Sequence, residues 1–141
     1  MVELTNDDLK ALTIFEKLTG ASATDLLIGE KSVVFLVAKG DMGRAIGPKG
    51  AHITRVRNAF SRQVLVFEES SDMEEFLRAI FSPIAIKNIN IHEKNNDKTV
   101  YVSVDDKDRG AAIGRNGDRI KLHRELILRK FRCNLRLANT R

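Results

Sequence analysis

Apolar positions along the chain follow helical spacing, then strand spacing, and the order of the two repeats. Leu9, Leu12, Ile14, Phe15 and Leu18 form one face of a helix that starts at the capping run Thr5 to Asp8 and ends near Gly20. Leu26 to Ile28 predicts a short strand before a turn at Gly29 to Lys31. The β-branched run Ser32 to Ala38 predicts a buried strand. Asp41 is placed to cap a short helix running into Gly47 to Gly50. Ala51 to Ser61 then reads as a longer helix with Ile53, Val56 and Phe60 inward, and Gln63 to Phe67 as a closing strand.

The second stretch repeats the plan. Ser71 and Glu74 make a capping box for a helix through Phe81, which the Ser82-Pro83 step ends. Strands at Ile84 to His92 and Thr99 to Val104 flank a turn at Asn95-Asn96-Asp97. A short helix from about Asp106 reaches Gly114, a longer one runs from Asp118 to about Lys130, and Arg132 to Leu137 alternates as a last strand. Each half is therefore expected to be α-β-β-α-α-β, an α/β (α+β) fold with a three-stranded sheet packed on helices.

The two halves align residue by residue at a constant offset of 67. Val33 meets Val100, Val37 meets Val104, Asp41 meets Asp108, Gly43 meets Gly110, Gly47 meets Gly114, Gly50 meets Gly117 and Ile53 meets Ile120. This predicts two domains, 1–69 and 70–141, with almost no linker between them, and hence a semi-rigid pair.

Charge sharpens the picture. The chain of 141 residues has a net charge of +5, which by itself favours polyanionic partners only weakly. Its distribution says more: Arg109 to Arg141 holds ten Lys or Arg against Asp118 and Glu125, while the rest is net acidic. A smaller cluster, Arg44, Lys49, Arg55, Arg57 and Arg62, has no acidic residue between Asp41 and Glu68. Both clusters surround the same place in the repeat.

That place is a Gly-x-x-Gly turn between two helices. Glycine admits unusual dihedrals and has no Cβ to hold a ligand off. The following helix starts with N–H groups that lack an intrahelical partner and with a positive dipole end, so a phosphate can be held by backbone donors. The spacing of Gly43 and Lys49 suggests a nucleotide-binding Walker loop, but Gly47-Pro48 and Gly50 stand where its final glycine and hydroxyl residue belong.

Ala45-Ile46-Gly47-Pro48-Lys49-Gly50 and Ala112-Ile113-Gly114-Arg115-Asn116-Gly117 resemble the two signature loops of tandem type II KH domains, as in the NusA family of transcription elongation and termination factors. The resemblance covers essentially the whole sequence, and its compact form is similar to the archaeal branch. It implies single-stranded RNA as ligand, with about four nucleotides clamped against each loop and bases on an aliphatic groove. An aromatic content of 6% with no Trp agrees with that groove better than with aromatic stacking platforms.

The expected RNA contacts are Ile46, Gly47, Pro48, Lys49, Gly50, His52 and Arg55 in the first half. In the second they are Ile113, Gly114, Arg115, Asn116, Gly117, Arg119, Lys121 and Arg124. Pro48 has no N–H, so the first loop offers one donor fewer. A solvated face is the ordinary alternative for Arg55, Arg62, Lys121 and Arg124. His123 aligns with the inward Val56 and is expected to be a buried histidine, and the run Asp105 to Asp108 to serve a helix start.

No catalytic residue, metal site or cofactor is expected. Cys133 stands alone, and His52, His92 and His123 are far apart in sequence. No apolar run approaches the roughly 20 residues of a membrane span, and Met1 to Lys10 lacks the pattern of an export signal. The sequence thus reads as a monomeric cytoplasmic protein that is not an enzyme. The resemblance implies contact with RNA polymerase and an effect on pausing, elongation or termination; a ribosome-associated or RNA-processing adaptor is the alternative use of the same surface.

Overall fold

A computed structural model describes residues 4–138. The chain divides after Ser71 into two compact units.

In the first unit α1 (Asn6–Thr19) begins with a capping box between Thr5 and Asp8 and ends at Gly20, whose left-handed conformation lets its N–H reach the Glu16 carbonyl. Strands β1 (Ala23–Ile28) and β2 (Ser32–Val37) pair antiparallel, and β3 (Gln63–Glu68) pairs parallel to β2 on its other side. A parallel neighbour requires a crossover, which α2 (Met42–Ile46) and α3 (Ala51–Phe60) supply. Leu12, Phe15, Leu26, Val33, Phe35, Val37, Ala45, Val56 and Val64 are buried together, with Ile53 and Phe60 packed against them. Phe15 stacks on Phe35 at a ring separation of 4.2 Å, so helix and sheet meet through their largest side chains.

The second unit has the same order: α4 (Met73–Phe81), β4 (Ile86–Lys94), β5 (Asp97–Val104), α5 (Asp106–Ile113), α6 (Asp118–Phe131) and β6 (Asn134–Leu137). Its sheet again has the middle strand antiparallel to one neighbour and parallel to the other. Phe76, Leu77, Ile80, Phe81, Val100, Val102, Val104, Ile120, Ile127 and Leu135 are buried. Fully burying side chains of this size contributes roughly 1.5–3 kcal/mol each.

Three local expectations change. Asp72, one residue later than expected, caps α4 by accepting from the Glu74 N–H, so the Ser71 to Glu74 capping box is not formed. Neither Asp41 nor Asp105 caps the helix it precedes: Asp41 accepts from the Ser22 N–H at 2.8 Å, and Asp105 lies 3.5 Å from the Lys87 ammonium. The second hairpin is tighter and longer than the sequence suggested, since Lys94 pairs with Asp97 across a two-residue turn of Asn95 and Asn96, both at positive φ.

Candidate nucleic-acid interface

Helix α2 is stopped by Gly47 (φ 76°, ψ 170°), a conformation that no L side chain adopts without strain, and α5 is stopped identically by Gly114 (φ 79°, ψ 175°). Single 3₁₀ turns follow at Pro48–Gly50 and Arg115–Gly117. Inside them Lys49 (φ 54°, ψ 28°) and Asn116 (φ 56°, ψ 24°) are left-handed, as are Gly50 (φ 73°) and Gly117 (φ 76°). Two stretches that share only their glycines therefore trace the same backbone.

The glycine N–H groups are used within each loop. Gly47 and Gly114 donate to the Gly43 and Gly110 carbonyls, and Gly50 and Gly117 donate to Gly47 and Gly114. The N–H groups between the glycines, of Lys49 in the first loop and of Arg115 and Asn116 in the second, make none of these bonds. Helices α3 and α6 start directly from Gly50 and Gly117 without a side-chain cap, and the N–H groups of their first residues, Ala51 and Asp118, donate to the Pro48 and Arg115 carbonyls. Lys49, Arg115 and Asn116 are exposed.

Around the first loop, Arg55 is exposed on α3 and Ile46 is 42% exposed, which places an aliphatic surface beside the backbone donors. Around the second, Ile113 is half-buried, Lys121 is exposed, and Arg124 is exposed while its Nε–H donates to the Leu135 carbonyl at 3.3 Å. Asp118 stands in the first turn of α6, where α3 has Ala51.

Arg119 and His52, also 67 apart, share a task that the sequence did not reveal. His52 Nδ1 lies 2.6 Å from the Arg44 carbonyl, and Arg119 donates at 3.4 Å to the Ala111 carbonyl, the equivalent acceptor. Both side chains press on the first glycine of their loop. A Cβ added at Gly47 would lie 2.5 Å from the His52 ring, and one at Gly114 would lie 2.5 Å from Arg119 Cβ and 2.9 Å from its backbone nitrogen. Arg119 reaches further, donating to the Phe81 carbonyl at 2.9 Å and the Ser82 carbonyl at 3.3 Å, at the end of α4. Its guanidinium is thus occupied by carbonyls, as a brace beneath the loop. The available signal was the repeat itself, which puts a bulky donor at the same position twice.

His123, 1% exposed, is packed in the core against the Phe81 ring at 4.7 Å. Burial, reinforced by the Arg119 charge, lowers its pKa to about 4, so it is a neutral core residue at ordinary pH. Among the described residues no cluster of His, Cys, Asp or Glu is placed to hold a metal ion, and no helix is long and apolar enough to cross a membrane.

An α-β-β-α-α-β unit whose middle strand has one antiparallel and one parallel neighbour, with a Gly-x-x-Gly turn joining its paired helices, is a type II KH domain, and the chain contains two. The family model of a KH domain matches residues 12–96, and that of a NusA-like second KH domain matches residues 73–139. A protein of Halococcus morrhuae described as a probable transcription termination protein NusA is 38% identical over 92% of this chain and 93% of its own length. The protein so described from Methanococcus vannielii is 34% identical over 84% of this chain and 69% of its own. The crystal structure of APE1850 is similar with a TM-score of 0.88 and 33% identity, covering 96% of this chain and 100% of that one. The chain belongs to the NusA family, in its archaeal form with tandem KH domains.

Proposed function

We propose that the protein binds single-stranded RNA through both Gly-x-x-Gly loops and works as a non-enzymatic factor of transcription. In this reading it holds nascent RNA near RNA polymerase and so modulates pausing, elongation or termination. The observation that carries the reading is the duplicated loop: two sequences that differ between their glycines adopt the same left-handed backbone, and the N–H groups of Lys49, Arg115 and Asn116 take no part in the backbone bonds of the glycines that close it. Such donors suit phosphate oxygens, and Lys49, Arg55, Arg115, Lys121 and Arg124 add attraction around them. The exposed Ile46 suits a base lying on an aliphatic surface. Membership of the NusA family supports transcription as the setting. Each half, divided near 69–71, is proposed as one KH module of a monomeric protein.

Binding of short fluorescent single-stranded RNA to the whole chain tests the first part, and co-purification with RNA polymerase subunits tests the second. Retention of RNA by a folded variant carrying Lys49→Asp, Arg115→Asp and Asn116→Asp sinks the loop reading. Recovery with ribosomal particles or nucleases in place of polymerase redirects the protein to RNA processing.

A further inference from the structure

The two sheets share a topology but not an outward face. Along β5 the side chains alternate, with Val100, Val102 and Val104 buried in the core and Thr99, Tyr101 and Ser103 turned away from it and from the helices. Asn90 on β4 and Arg136 on β6 stand beside Tyr101 in register, so the three form one row across the outward face. The first unit has Leu27, Val34 and Leu65 in that row. A polar and aromatic row that only one copy of a repeated fold carries is not a requirement of the fold.

Toward the turn of the hairpin this face holds an open hollow of about 560 Å³. It is lined by Tyr101 and the exposed His92, whose rings meet edge to face at 5.2 Å, by Lys94 and Asn95, and by the carboxylates of Glu93 and Asp97. Among the described residues no large aliphatic side chain is exposed on this side of the sheet. Ile91, 52% exposed, is the register partner of the buried Val100 and so points to the other side, and Leu128 lies on α6. The apolar centre around which a protein interface is built is therefore missing. A nucleotide answers each group that is present: its base stacks on an aromatic ring, and an exocyclic amino group donates to a carboxylate as cytosine N4 does. Its phosphate suits the exposed Arg136 and is repelled by the acidic rim, which sets the orientation.

We infer that the outward face of β4, β5 and β6 is a further nucleotide site, where one base bearing an amino group stacks on Tyr101 beside His92, donates to Glu93 or Asp97 and leaves its phosphate at Arg136. The site lies on the side of the sheet away from the helices that carry the Gly-x-x-Gly loop. It reads a base where the loop is proposed to hold a backbone, and it does not depend on that reading. A site for a single nucleotide is weak by itself, so its effect on a strand is a preference among bases.

Tyr101 is the only tyrosine in the chain, so its ring-proton NMR signals identify themselves. Cytidine and uridine monophosphate, which contrast an amino group with an oxygen at the same ring carbon, are titrated into the parent and into the whole chain carrying Lys49→Asp, Arg115→Asp and Asn116→Asp. In both chains cytidine monophosphate should move the Tyr101 signals upfield and saturably, at about tenfold lower concentration than uridine monophosphate. Glu93→Gln with Asp97→Asn should erase that preference while the upfield movement remains, which a loss of hairpin support alone would not do. Tyr101 signals that neither nucleotide moves overturn the inference and leave the face to a protein partner. Equal affinity for the two nucleotides overturns it as well, as does a preference that survives the Glu93 and Asp97 changes. A movement that vanishes when the loops are neutralised assigns the signal to the loops and is equally fatal. The loop reading is judged separately, by the loss of short RNA from the same loop-neutralised chain, so either can fail without the other.

Discussion

His123 occupies in the second unit the place that Val56 holds in the first, and it makes the fold sensitive to acid. Its imidazole titrates near 6.5 when unfolded and at about 4 in the folded protein. Between those values the unfolded chain binds a proton that the folded one excludes. Stability is therefore full above pH 6.5, falls as the pH drops toward 4 and loses nothing further from this group below that. The total is up to roughly 3 kcal/mol. His123→Val should flatten this part of the profile in denaturant melts at pH 7 and pH 4.5, and an unchanged slope would mean another group is responsible. Arg119 gives a second prediction. If it braces the loop, Arg119→Gln weakens RNA binding and costs roughly 1–3 kcal/mol of stability, but leaves the salt dependence of binding alone. A residue that touched phosphate would instead reduce the log-log salt slope by about 0.7 on a single strand.

At the scale of elements, the duplicated loop can be compared with itself. The second loop has two N–H groups between its glycines where Pro48 leaves the first with one. Replacing Arg115 and Asn116 by aspartate should therefore cost more affinity than replacing Pro48 and Lys49. Two structural facts narrow that gap: Asp118 stands in the first turn of α6, and Arg119 is engaged with carbonyls. Equal losses from the two double variants would show that these outweigh the extra donor. Within the second unit, glycines four residues apart should respond with opposite signs. Gly114→Ala meets Arg119 and keeps a left-handed φ, at a cost of roughly 1–3 kcal/mol, whereas Gly110→Ala should not destabilise. Thermal melts of the two single variants decide it. Element order was legible because periodicity and glycine punctuation act locally. The helix starts were not: whether Asp41 caps α2 or holds the Ser22 N–H depends on a loop 19 residues away, which no local pattern encodes.

For the molecule as a whole, the prediction is that both loops contribute to one affinity. A chain with either loop neutralised should bind single-stranded RNA more weakly than the parent, and the salt slope should fall by about 0.7 for every phosphate no longer neutralised. A titration from low to moderate salt checks this, and a slope unchanged by both loop variants would contradict it. The charge distribution was readable in the sequence, since basic residues gather around the two loops and in the last quarter. What could not be read was the use each charge is put to. Lys121 and Arg119 are two residues apart, yet one is exposed and the other braces three carbonyls, because only the fold brings the end of α4 within reach of residue 119.

The second loop also carries a chemical clock. Asn116 precedes Gly117 in an exposed turn, and an asparagine followed by glycine is open to attack on its side-chain amide by the next backbone nitrogen, which expels ammonia and leaves a cyclic imide that water opens to aspartate or isoaspartate. Here that nitrogen belongs to Gly117, whose N–H is held by the Gly114 carbonyl at 3.1 Å. The closed loop thus shelters its own weak point, and each opening exposes it. Ageing would install a negative charge at the proposed phosphate contact, so on that reading stored protein should lose RNA affinity in step with deamidation at Asn116, and bound RNA should slow both.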